Sequence, residues 1–103
     1  MVENILFRGT SDIPVGTEFR TQCSGNDASV GLPFNVSGIK NARFISGSGY
    51  ATIAIATEAA MTNRIATIPT YPSTIDVNVS DYSVLYLRNL NNQYGETVRY
   101  TVL

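Results

Sequence analysis

The sequence contains no histidine and no tryptophan, a single cysteine and little charge. Without histidine, the commonest general base and the commonest transition-metal ligand are both missing, which excludes nucleophile triads and zinc sites of the usual kinds. The lone Cys23 excludes an internal disulfide. In TEFRTQC it shares a strand face with Phe19 and Thr21, while Glu18, Arg20 and Gln22 take the other, so it reads as a small buried hydrophobe with no base to activate it. Long apolar runs are also absent. The opening MVENILFRGT carries Glu3 and only a short apolar stretch, from which we expect neither a signal peptide nor a membrane span, and synthesis in a cytoplasm.

Seven Lys plus Arg against eight Asp plus Glu leave a net charge of −1, so no general field attracts nucleic acid or an anionic membrane. Charged residues make up 15% of the chain, below the roughly 25% usual for soluble domains. Ser, Thr, Asn, Gly and Tyr take their place and make a surface suited to close, uncharged contact. At 103 residues the chain is one domain, residues 1–103, and it buries about 60–70% of the surface its unfolded form exposes.

What is present is β-structure. Period-2 alternation predicts strands over residues 4–8, 17–23, 32–36, 42–46, 50–57, 64–68, 74–80, 83–88 and 96–102, separated by Gly, Pro, Asn and Ser clusters. Short strands at this spacing predict an antiparallel β-sandwich, jelly-roll or immunoglobulin-like, with eight or nine strands. Residues 57–63, TEAAMTN, suit either a single helical turn capped by Thr57 or a loop packed on a neighbour. Ile53 and Ile55 define one buried face and Ile75, Val77 and Val79 another. Residues 83–88 are apolar on both sides, Val84 and Tyr86 opposing Leu85 and Leu87, so this strand is expected to be central or covered on its second face.

The motifs that touch on chemistry are weak. In DVNVSD, oxygen-bearing Asp76, Asn78 and Ser80 imitate the start of a calcium loop, but Asp81 stands where a glycine is needed and Leu87 where the closing acid belongs. Asp76 and Asp81 are a nominal carboxylate pair without a cleft-forming context. Gly47-Ser48-Gly49 lacks a following lysine and reads as a tight hairpin turn. The sequons at Asn35 and Asn78 carry no weight without a secretory signal. The expectation is a non-enzymatic protein with no cofactor and no metal.

Tyrosine is the one enriched binding residue. Tyr71, Tyr82 and Tyr94 stand at turns, where an amphipathic ring presents area at small entropic cost. Tyr50, Tyr86 and Tyr100 fall inside predicted strands and read as structural. The apolar pairs Met1-Val2 and Val102-Leu103 suggest that the ends are held, by an intramolecular sheet or by a partner. Candidate interface residues are therefore Met1, Val2, Tyr71, Tyr82, Tyr94, Val102 and Leu103.

A small, neutral, His-free, all-β chain that closes on SDYSVLYLRNLNNQYGETVRYTVL resembles the capsid decoration or cement proteins of tailed bacteriophages. That resemblance implies a structural protein on the outer surface of a virion, with the major capsid protein, copies of itself, or both as partners, and a homo-oligomer. A second expectation is a carbohydrate- or receptor-binding module of a tail or fibre. The two differ in where contacts should lie. A sugar binder gathers exposed aromatics and amides in one cluster, whereas a clamp spreads them over several patches that include the chain ends.

Overall fold

The computed structural model describes residues 12–103 and is all-β, with eight strands and no helix among those residues. They are β1 (Glu18–Cys23), β2 (Leu32–Asn35), β3 (Asn41–Ser46), β4 (Ile53–Ala56), β5 (Arg64–Ile68), β6 (Thr74–Asn78), β7 (Val84–Asn89) and β8 (Glu96–Val102). The strand expected at residues 4–8, and the candidates Met1 and Val2, lie outside the described residues.

The pairing follows one rule. β1 pairs with β8, β2 with β7, β3 with β6 and β4 with β5, all antiparallel, as in one long hairpin whose apex is the β4–β5 loop. This ribbon is rolled so that β8 also pairs with β3, and β7 with β4. The result is two four-stranded sheets, β1-β8-β3-β6 and β2-β7-β4-β5. The order is that of an eight-stranded jelly roll, which decides between the two sandwich topologies expected.

Alternation aims the core residues. Ala42, Phe44, Val98, Tyr100 and Val102 point inward from the first sheet and Phe34, Ile53, Ile55, Leu85 and Leu87 from the second, all buried. An aromatic cluster joins the two layers. Phe34 meets Phe44 edge-on at 5.9 Å and Tyr100 at 5.2 Å, while Tyr100 stacks on Phe44 at 5.5 Å. The Tyr100 hydroxyl donates across the sandwich to the Asn35 carbonyl at 2.9 Å.

Three expectations are corrected here. Residues 47–49 do not close a hairpin, because β3 and β4 belong to different sheets and the segment crosses between them. Tyr50 is not in a strand: β4 begins only at Ile53, and its ring is 78% exposed on the crossing loop. Val102 offers nothing to a partner, since its side chain is fully buried in the chain's own core. β8 is a central strand, and its end is held on both sides: the Val102 N–H donates to Thr17, the Gly16 N–H to Val102 and the Leu103 N–H to Asn41.

β7 is central as expected, and the chain itself covers part of its second apolar face. Residues 57–63 form a loop rather than a helix and fold back over the second sheet. Met61, held at a left-handed φ of 61°, is buried there on Ala54 and Ala56, beside Tyr86 and Leu90. The loop is fastened by Met61 N–H to the Glu58 carbonyl and by Asn63 N–H to the Glu58 carboxylate.

Burial pushes the thiol of Cys23 and the phenol of Tyr100 up from their ordinary values of 9.0 and 10.0. The unfolded chain therefore loses these protons first. Stability from both groups is complete below pH 9 and is lost as pH rises through their folded values. Denaturant midpoints measured from pH 7 to 11 should fall above pH 9, and Tyr100→Phe should flatten the upper part of that decline. A midpoint constant to pH 11 would contradict this.

Candidate functional site

In a jelly roll, alternate connections emerge at the same end. Here the connections at residues 24–31, 47–52, 69–73 and 90–95 lie together, because Cys23, Ser46, Thr74 and Glu96 share one end of the first sheet's ladders. In space these loops run in the order 24–31, 90–95, 47–52, 69–73, following the strand order. Three successive loops each carry one exposed tyrosine: Tyr94, 68% exposed, then Tyr50 and then Tyr71, 47% exposed.

The end is built, not merely collected. The three buried polar side chains among the described residues, Ser24, Ser46 and Asn89, all stand here, and each holds a loop carbonyl. Ser24 Oγ donates to Val30 at 2.8 Å, Ser46 Oγ to Ser48 at 2.9 Å and Asn89 Nδ2 to Tyr94 at 3.1 Å. Ser46 and Asn89 occupy inward positions of their strands, so their polar groups must find partners inside the fold, and the loop backbones supply them. Further bonds stitch loop to loop. Thr52 N–H donates to Asn91 Oδ1, Leu90 N–H to Thr52, Asn26 N–H to Asn92 and Tyr71 N–H to Ser48. Tyr94 N–H is capped by Asn92 Oδ1. Several surface amides are thereby spent on positioning the rings.

The surface so made is apolar and nearly uncharged. Among the exposed large hydrophobic residues described, Val30, Leu32, Tyr50, Tyr71 and Tyr94 lie at this end, and only Val15 and Val84 lie elsewhere. Asp27 is the single charged residue in the four loops, and the flanking strands bring one group of each sign to them: Arg88 Nη2 donates to the Asn26 carbonyl and the Glu96 carboxylate stands beside Gly47.

The structure thus brings together two of the sequence candidates, Tyr71 and Tyr94, and adds Tyr50. Tyr82 sits on the β6–β7 connection at the opposite end, half-buried against the core. Leu103, half-buried, is bonded within the chain. Sequence reasoning missed Tyr50, Ser24, Ser46 and Asn89. Ser46 and Asn89 carried a signal, being polar residues in phase with buried apolar ones.

The oxygens of DVNVSD are engaged elsewhere. Arg43 grips Asp76 with two bonds, Nε to Oδ1 at 2.7 Å and Nη2 to Oδ2 at 3.0 Å, which holds that carboxyl below its usual range. Asn78 Oδ1 accepts from the N–H and hydroxyl of Ser80. No group of three or more His, Cys, Asp or Glu side chains is placed to hold a metal among the described residues.

Fold and surface together define a jelly roll with one braced, tyrosine-bearing, almost uncharged end. Comparison with protein-family models, with curated proteins and with solved structures finds no match.

Proposed function

We propose that the protein is a non-enzymatic attachment module of a virion surface, seating its tyrosine-bearing end on the outside of an assembled shell and reinforcing it. The observation that carries this reading is the character of the patch rather than its compactness: aliphatic Val30 and Leu32 stand with Tyr50, Tyr71 and Tyr94 on one braced end whose loop amides are already bonded within the chain. Aromatic and aliphatic residues held in fixed positions make a surface that binds without first being ordered, which removes part of the cost of association. Contacts made with little charge keep their strength as salt changes. The viral setting comes from the resemblance of the sequence. The partner is then a capsid protein surface, with copies of the module side by side on the shell.

A second reading, a glycan- or receptor-binding module, is the one for which a single cluster of exposed aromatics is expected, and the gathering of Tyr50, Tyr71 and Tyr94 at one end, with Val102 buried in the core, counts in its favour. Two features favour a protein partner. Amides that would grip sugar hydroxyls are bonded within the loops at Asn89, Asn91 and Asn92. Aliphatic Val30 and Leu32 accompany the rings, and such side chains are more at home in protein interfaces.

Tyr50→Ala with Tyr94→Ala should leave the fold's melting temperature within a few degrees, because both rings are exposed, yet weaken attachment by about 100-fold, as paired losses at an interface centre do. Co-sedimentation with bare particles measures this, and heating decorated and bare particles measures reinforcement. Particles that gain nothing from the protein, together with tight binding of an oligosaccharide, would replace this reading with the second.

A further inference from the structure

The outer face of the first sheet carries a feature that the tyrosine end does not explain. Arg20 on β1 and Arg99 on β8 are direct ladder partners. Like charges placed opposite each other destabilise a sheet, so the pairing is unfavourable unless something lies between them. The Arg20 side chain is exposed, and its only acid among the described residues is Glu18, at 4.0 Å. The Arg99 side chain has no hydrogen bond or ion pair among the described residues. The other arginine of this face, Arg43, is closed on Asp76 by its two bonds.

Arg20, Arg99, Thr97 and Gly47 line a shallow depression of about 250 Å³. Thr97 Oγ1 accepts a bond from Gln22 Nε2 at 2.9 Å, which leaves its own hydroxyl proton to donate. Gly47 keeps that side low. The Glu96 carboxylate stands beside Gly47 and accepts the Thr97 N–H, so the acid borders the depression on that side, and an extended polyanion fits it less well than one compact anion held at the arginines.

We propose that Arg20 and Arg99 form a binding site for a single tetrahedral oxyanion, with Thr97 as a third donor. Two guanidinium groups match the charge of a phosphate or sulfate dianion, and their forks match its oxygens. The group can arrive as a free ion or carried on a sugar or other small ester.

The test is a titration followed by amide NMR in chloride buffer at constant ionic strength, with inorganic phosphate in one arm and glucose 6-phosphate in the other. The expected result is a saturating shift confined to signals of residues around Arg20, Gly47, Thr97 and Arg99, complete below about 10 mM. Arg99→Gln should weaken it at least about tenfold, and Arg43→Gln, on the same face, should not. Arg20→Gln, on an exposed edge-strand residue, serves as a second variant should Arg99→Gln fold poorly. Tighter binding of the ester points to a carried group, and equal or tighter binding of the ion to a free one; either supports the site. Shifts linear in both arms, or saturation unchanged by either arginine substitution, would overturn it.

Discussion

Gly25→Ala is expected to lower the melting temperature by more than about 12 °C, an effect large for one added methyl group. A Cβ at Gly25 would coincide with the Gln93 carbonyl oxygen and lie 2.9 Å from the Tyr94 carbonyl carbon. These are backbone atoms, so no side-chain rotation gives relief, and the loops at 24–31 and 90–95 must separate. Gly95 makes the reciprocal approach, its Cβ position 2.6 Å from the Cys23 carbonyl oxygen. Overpacking costs about 1–3 kcal/mol even where side chains can adjust, and a domain of this size loses about 4–8 °C per kcal/mol. The comparison is Gly49→Ala, whose nearest neighbour would be the Tyr71 carbonyl oxygen at 3.6 Å, an ordinary contact; it should move the transition by only a few degrees. Calorimetry on the two variants decides the matter, and equal melting temperatures would mean that the interlock yields freely. Because Tyr94 rides on the displaced loop, the Gly25 variant should also attach poorly.

Phe44→Ala should be the most damaging substitution in the core, costing about 3–5 kcal/mol. Phe44 is fully buried and contacts rings from both sheets, Phe34 at 5.9 Å and Tyr100 at 5.5 Å. Removing it leaves a cavity at the point where the layers are held together, out of a total stability of about 5–15 kcal/mol. Phe19 stacks on Tyr100 from the edge strand at 5.2 Å and is only partly buried. Its loss to alanine should cost less than half as much, as read from urea midpoints. If the two variants unfold at the same denaturant concentration, the central role of Phe44 is wrong.

The strands were legible because their causes are local. Alternation over residues 96–102 and 64–68 depends only on which side chains face the core, and there the predicted and observed bounds coincide. The crossing at residues 47–52 was not legible, since Gly-Ser-Gly serves a hairpin or a crossover equally well, and pairing with distant β6 and β8 determines which occurs. Tyr50 was misplaced for the same reason: a loop long enough to pass between sheets takes residues that alternation would have assigned to β4. The apolar second face of β7 called for a central place or a cover, without saying what would supply it. Part of its cover, beside Tyr86, is Met61, and no local pattern reveals that a loop with Ala59, Ala60 and Met61 will fold back on the sheet it has just left. Of the site, Tyr71 and Tyr94 were legible as turn tyrosines. That they share an end with Tyr50 follows from the rolled topology alone.

The rolled ribbon also orders events in time. Only β4 and β5 are joined by a short connection; every other ladder unites segments far apart in the chain, the outermost bringing Glu18 to Thr101. Direct closure of that outer ladder from an open coil would carry the largest loop entropy in the molecule. Once β4–β5 has formed, however, each next pair needs only to close the two connections beside it. The molecule is therefore expected to assemble from its apex outward, at the unhurried pace of non-local sheets, with Tyr94, on the connection next to the outermost pair, placed late.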